Sequence, residues 1–247
     1  MISIILAAGR GTRLRPLSFY IPKILLPVRG VPLVSYLLRN LDGLDIETSY
    51  IVASENIEMI ERYVEKTGIK DVKVLKGLGW ETGGDLSIAL EEISSPVDTV
   101  VMNGDLITDI KISEMYEFHK KNKPLSTISV FEIDDLNEAK RFGRIRMDSD
   151  GLITEFKEKA ATDEKLPAKV NTGFYILDRK LIEMRPDYLP VRKFRLEQEF
   201  LPRLAREGAL YGFVSEVGYW WDVGTIDSYM EAEKFMINNR RVIPPEG

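Results

Sequence analysis

The chain contains no cysteine and one histidine, His119. The absence of cysteine removes disulfides and thiolate metal sites, and the single histidine argues against a histidine-based zinc site or a Ser/His/Asp triad. His119, in "MYEFHKKNK", reads as the exposed end of a helix with no catalytic role. No run approaches the roughly 18 apolar residues of a membrane span. The first apolar stretch, Met1 to Ala8, is short and lacks the basic lead of a signal peptide. A cytoplasmic protein with no membrane partner is therefore expected. Internal repeats and low-complexity linkers are also missing, and only residues 239–247, ending in "IPPEG", read as a tail.

Acid is missing from one place in particular. Residues 1 to 41 hold six cations, Arg10, Arg13, Arg15, Lys23, Arg29 and Arg39, and no Asp or Glu, although the formal net charge is −5. The other 206 residues carry 28 cations against 39 anions. A nucleic-acid binder is more often basic over a whole face, whereas a small anionic ligand needs only one concentrated positive loop. Nucleic acid is therefore not expected as a partner. Scattered lysines would read as a solvated patch, but three arginines set among glycines directly after a strand read as a binding loop.

The 247 residues, 44% of them hydrophobic, suffice for one large α/β domain. Strand-like runs rich in β-branched residues occur at "ISIIL", "TSYIVA", "VKVL", "DTVVMN", "LSTISVFEI" and "VNTGFYIL", with helix-like segments between the first five. This alternation predicts a doubly wound, Rossmann-like, mostly parallel mixed sheet flanked by helices. "VPLVSYLLRNLDG" carries Pro32 in a first-turn position and ends on Gly43, and "SENIEMIERYVEKTG" starts from a Ser54 cap with Ile57, Ile60 and Val64 on one face. After residue 140 the pattern changes. "GRIRMDSDGLITEFKEK" reads as two strands joined by an Asp150-Gly151 turn, which adds a small antiparallel lobe.

In open α/β sheets ligands bind beyond the carboxyl ends of the strands. Strand one is followed by "AAGRGTRLRP", where small residues admit a ligand close to the backbone and arginines can grip phosphate oxygens bidentately. A dinucleotide fingerprint would need a third glycine where Leu14 stands and an acid about 20 residues on, yet none precedes Asp42. A Walker A loop would need Gly-Lys-Ser/Thr, which is missing. Of the later strands, the fourth ends in "VVMNGDLITD", where Asp105 can face the same cleft and Asp109 reads as a turn residue.

The stretch "LAAGRGTRLRPLSFYIPKILLPVRGVPLV" resembles the opening signature of the sugar-1-phosphate nucleotidyltransferases. The likeness continues in the family's order through "ETGGDLSIAL", "NGDLITDI", "FGRIRMDSDGLITEFKEK", "VNTGFYIL" and "WWDVGT", over about residues 1 to 235. The segment "LEQEFLPRLAREGALYGFVSE" is similar to the mannose- and heptose-1-phosphate guanylyltransferase branch. The resemblance implies one catalytic domain over residues 1–238, with a nucleotide-binding half to about residue 135 and a sugar-binding half after it. Its reaction is in-line attack of a sugar 1-phosphate on the α-phosphorus of an NTP, GTP or another, with catalysis mainly by positioning and charge neutralisation.

By that resemblance Leu6, Ala7, Ala8, Gly9, Gly11, Thr12 and Asp105 line the nucleotide, Arg13 holds the leaving pyrophosphate, and Lys23 bridges the reacting phosphates. Gly83 and Gly84 allow close approach at the nucleobase. Asp105 and Asp222 are implied ligands of Mg2+, an ion that takes one or two carboxylates together with substrate oxygens. Gly143, Glu158, Lys159, Asn171 and Glu197 are implied on the sugar-phosphate side, although "FKEKAATDEK" alone would read as a solvated charge run. One of Trp220 and Trp221, at least, reads as core. Whether Arg10, Arg15 and Asp109 touch ligand is left open, as is a homo-oligomer.

Two departures stand out, because the family often has Gly where Glu81 stands and Pro where Ala160 stands. Three readings compete: an active transferase, which can also use a non-sugar phosphate acceptor; a silent sugar-nucleotide-binding regulator, disfavoured by the complete Arg13, Lys23, Asp105 and Asp222 set; and a dinucleotide redox enzyme, which fails at Leu14.

Overall fold

The computed structural model describes residues 1–158 and 166–239. In chain order the strands are β1 (Ile2–Leu6), β2 (Pro27–Val28), β3 (Val31–Pro32), β4 (Thr48–Ala53), β5 (Val72–Lys76), β6 (Thr99–Asn103) and β7 (Leu106–Thr108). They continue with β8 (Ser126–Ile133), β9 (Gly143–Met147), β10 (Ile153–Glu158), β11 (Ala168–Leu177), β12 (Leu210–Val214) and β13 (Trp220–Asp222). The α-helices are α1 (Leu33–Arg39), α2 (Ile57–Thr67), α3 (Glu81–Ile93), α4 (Ile112–Asn122), α5 (Leu136–Ala139), α6 (Arg179–Glu183), α7 (Arg185–Tyr188), α8 (Leu201–Arg206) and α9 (Ile226–Asn238).

The main sheet runs β10-β9-β11-β6-β1-β4-β5, with β8 also on β11 and β12 on β8. Its half β6-β1-β4-β5 is parallel throughout. β11 lies antiparallel to β6 and to β8 and carries the sheet into its second half. Double winding follows from the two-residue period of β1. Ile4 packs with Leu86, Ala89 and Leu90 of α3 on one face. Ile5 packs with Val34, Leu37, Ile60 and Met115, contributed by α1, α2 and α4, on the other. The expected α/β architecture is therefore present.

The hairpin read from Asp150-Gly151 joins β9 to β10, and Gly151 holds φ +92°. The Asp148 side chain accepts from the amides of Asp150 and Leu152 and fixes the turn. This antiparallel lobe is an edge of the main sheet, attached where Val170 of β11 pairs with Arg144. Two helix starts differ from expectation. Ser54 does not cap α2: its hydroxyl donates to Ala8 O at 2.8 Å, and the helix begins after Asn56. Pro32 stands just outside α1 rather than in its first turn. No helix among the described residues is long and apolar enough to cross a membrane.

His119 is a further correction. Ile112, Met115 and His119 share one stripe of α4 and all three are buried. The ring Nδ1 lies 2.8 Å from Thr127 Oγ1, and Nε2 is 3.8 Å from Asp178 Oδ2. Burial lowers its pKa, against the opposing pull of Asp98 and Asp178. The folded state thus resists protonation more than the unfolded chain, so stability falls as the pH drops below the ordinary value of 6.5. Urea unfolding at about pH 7.5 and about pH 5.5 should show wild type losing roughly 1 kcal/mol more than His119→Gln between the two. Equal losses would mean that the imidazole is charged inside the fold.

Candidate active site

The basic loop is pinned by the apolar residues between its cations. Leu14 is fully buried and packs in one cluster with Leu26, Val28, Leu33, Ile107 and Val223. The residue that breaks a dinucleotide fingerprint is thus the anchor of this loop. Ile24 and Leu25, directly after Lys23, are buried under the sheet. Gly11 holds φ +57°, its carbonyl accepts from Ser18 Oγ at 2.8 Å, and a turn over Thr12–Leu14 follows. Leu6 closes β1 and its carbonyl accepts from Gly104 N at 2.9 Å; Ala7 N donates to Val52 O. Around Gly9 there is open space. Arg10 reaches Glu55 at 3.2 Å, and Arg15 lies 4.8 Å over the exposed Phe19 ring.

Two short strands, both invisible in the periodicity, bring the distant aspartates together. β13 pairs antiparallel with β7, so that Asp222 lies opposite Leu106, and Val223 N donates to Asp105 O at 2.8 Å. Gly224 and Thr225 then turn the chain into α9, where Thr225 and Ser228 form a reciprocal cap. Lys23 Nζ stands 2.5 Å from Asp105 Oδ2. Arg13 reaches the same end: a Cβ built on Gly224 would lie 2.8 Å from Asp222 Oδ1 and 3.2 Å from Arg13 Nη2. Burial, and next the charge of Asp105, raises the pKa of Asp222, while Lys23, Arg141 and Arg13 oppose the rise. Asp222 Oδ1 is buried without a hydrogen-bond partner. A carboxylate oxygen left so is costly unless something else meets it.

A cavity of about 190 Å³ joins this pair to the second half of the sheet. Its walls include Asp105, Asp222, Gly143, Glu158, Asn171 and Glu197, all of them sequence-derived candidates. Glu158 ends β10 opposite Gly143 of β9. Asn171 sits where β11 shifts register, its Oδ1 accepting from Gly173 N and its Nδ2 donating to Tyr175 OH. Gly173, at φ +85°, lets this bulge press on Asn103, whose Nδ2 is 2.7 Å from where a Cβ would be. Glu197 accepts from Thr82 Oγ1 at 2.9 Å, and burial raises its pKa. Lys159 lies outside the described residues. Asn103, Arg141, Phe142 and Trp220 also line the cavity and were missed in the sequence. Trp220 packs on Phe142 and donates Nε1 to Thr172 O, whereas Trp221 packs on Phe235 of α9. Asp109, read as a turn residue, instead makes a long-range contact, accepting from the amides of Gly218 and Tyr219.

Residues 2–239 match the model of the family described as nucleotidyl transferase. The chain belongs to the nucleotidyl transferase family. It is 30% identical to a mannose-1-phosphate guanyltransferase of Yarrowia lipolytica, over all of this chain and 67% of that protein. It is 28% identical to a UTP–glucose-1-phosphate uridylyltransferase of Synechocystis, over 94% of this chain and 62% of that protein. The crystal structure of HddC from Yersinia pseudotuberculosis superposes with a TM-score of 0.75 at 28% identity, covering 96% of this chain and all of the other. The chain thus spans about two thirds of the length of these curated relatives.

In this nucleotidyl transferase the glycines of "ETGGDL" are packed against a later segment of the chain. A Cβ on Gly83 would lie 2.3 Å from the Phe194 ring, and one on Gly84 would lie 2.6 Å from Arg192 O. Both amides donate to Phe194 O. The close approach that glycine permits is therefore to the 192–194 segment, and both residues are buried there. The loop before α3 is shaped by Asp85, a buried carboxylate that accepts from the amide of Leu78 at 2.8 Å.

Proposed function

We propose that this chain transfers a nucleotidyl group from an NTP to a sugar 1-phosphate, giving an NDP-sugar and pyrophosphate. The observation that carries this reading is the pairing of β13 with β7, which joins Asp222 and Asp105 to Lys23 and Arg13 at one end of a cavity lined elsewhere by Glu158, Asn171 and Glu197. The sugar-phosphate oxygen attacks the α-phosphorus as the bond to the β-phosphate oxygen breaks, and pyrophosphate leaves with that electron pair. Arg13 and Lys23 supply fixed positive charge where phosphate charge grows, at no cost in reorganisation. Gly9, Gly11 and Thr12, with Leu6, Ala7 and Ala8, form the floor for the triphosphate.

Asp105 and Asp222 suit a divalent cation, for which we propose magnesium. Two carboxylates are the number that ion uses beside substrate oxygens and water, and the unpartnered Asp222 Oδ1 is of the kind that a cation satisfies. When bound, the ion would neutralise phosphate charge.

The similarity to a mannose-1-phosphate guanyltransferase makes GTP and mannose 1-phosphate the first pair to try, and the uridylyltransferase relative makes UTP with glucose 1-phosphate the second. Pyrophosphate release with magnesium, each of four NTPs and a panel of sugar 1-phosphates tests the reading. Release with no pair, despite nucleotide-sugar binding, would favour the silent regulator.

Glu158→Gln keeps size and removes charge, so sugar hydroxyl binding should weaken by roughly 1 to 3 kcal/mol, the range for a charged hydrogen bond imperfectly made. The loss should appear in the sugar-phosphate KM or kcat, with NTP affinity in the absence of sugar phosphate almost unchanged. Calorimetric loss of NTP binding with intact sugar-phosphate kinetics would reverse this division of the cleft.

A further inference from the structure

We propose that Glu81 is a positioning residue for the sugar phosphate, acting through Arg195 on Glu158; the inference rests on the transfer reaction proposed above. Glu81 opens α3 with φ +64°, in the left-handed region where residues other than glycine are strained. An acid near a helix N-terminus is favourable, but the same charge one residue away would give that benefit without the strain. What this position uniquely provides is a contact. Glu81 Oε2 accepts from Arg195 Nε at 3.0 Å, and Arg195 Nη1 lies 3.6 Å from Glu158 Oε1.

The segment that carries Arg195 is itself clamped to the first turn of α3. Leu196 N donates to Thr82 Oγ1 at 3.1 Å, and Thr82 Oγ1 donates to Glu197 at 2.9 Å. Arg195 is therefore fixed at its Nε and presents another arm of its fork to Glu158. Glu158 stands at the carboxyl end of β10 in the cavity wall, with its side chain only 24% exposed. A sugar hydroxyl arriving there meets a carboxylate already oriented, so less rotamer freedom is lost on binding. The three residues form a latch from the helix on one side of the cleft to the sugar-side strand on the other.

Glu81→Gly relieves the backbone strain and removes the latch. The sugar 1-phosphate KM should rise roughly two- to fivefold, the scale of a part-exposed ion pair, with NTP affinity unchanged. The Tm should stay close to wild type, because strain relief offsets the lost contact. Arg195→Ala should raise the same KM, and the double variant should go no further than the worse single one. An unchanged sugar-phosphate KM in Glu81→Gly, a rise confined to the NTP KM, or multiplied effects in the double variant would overturn the latch while the wild type still made nucleotide sugar. A wild type that formed no nucleotide sugar from any pair would overturn the transfer reading, and the latch with it.

Discussion

Alanine at Arg13 or at Lys23 should lower kcat by at least about a hundredfold, the scale of losing one preorganised charge contact to a developing anion, while the fold persists. The two side chains converge on one place from different parts of the loop. Lys23 Nζ is 2.5 Å from Asp105, and Arg13 lies beside Gly224 next to Asp222. Neither side chain is a core anchor, because Leu14, Ile24 and Leu25 hold the loop. Loss of rate should therefore come without loss of circular dichroism or cooperative melting. The variants should differ in one respect. Lys23→Ala leaves Asp105 and Asp222 facing each other without their nearest cation, so it should also shift the magnesium dependence, whereas Arg13→Ala should mainly affect turnover. Near-normal rates in both, with unchanged circular dichroism, would remove this loop from the chemistry.

The legible part of the fold was the part written in long periodic segments. All six expected strands form, because each is a run of apolar, β-branched residues long enough to cross a sheet. The hairpin at Asp150-Gly151 was legible because its turn demands φ above zero. β7 and β13 were not, since three residues carry no period and their pairing is set by tertiary packing. Yet that pairing is what sets Asp222 beside Asp105, and in sequence Asp222 joined Asp105 at the cleft only through resemblance.

His119 failed for a related reason. Its basic neighbours Lys120 and Lys121 suggest an exposed end, while the spacing with Ile112 and Met115, which was available, says buried. Gly83 and Gly84 admit the Phe194 ring and the Arg192 carbonyl closely, a pairing that no local pattern identifies. Arg141 belongs to no motif and Asn103 opens one without being read as a site residue; their places come from the turn before β9 and from the end of β6.

Asp105→Asn and Asp222→Asn should each raise the magnesium concentration needed for half-maximal rate and lower the maximum rate by about a hundredfold, since an ion at the phosphates is worth several kcal/mol to the transition state. If both carboxylates hold one ion, the first loss already disables the site, and the double variant should be little slower than the worse single one. Rates that multiply would mean two independent roles. The Asp222 variant adds a second discriminating measurement. Its carboxyl is pushed up by burial and by Asp105, and Oδ1 has no hydrogen-bond partner, so an ionised group there is a burden on the fold. Removing that charge should leave the Tm at or above the wild-type value in the absence of metal. Metal should then raise the Tm of wild type more than that of Asp222→Asn, because binding to the folded state alone stabilises it. Activity and stability moving in opposite directions identify a residue kept for chemistry. A lowered metal-free Tm in Asp222→Asn would instead make this aspartate a structural partner of the β13–β7 ladder.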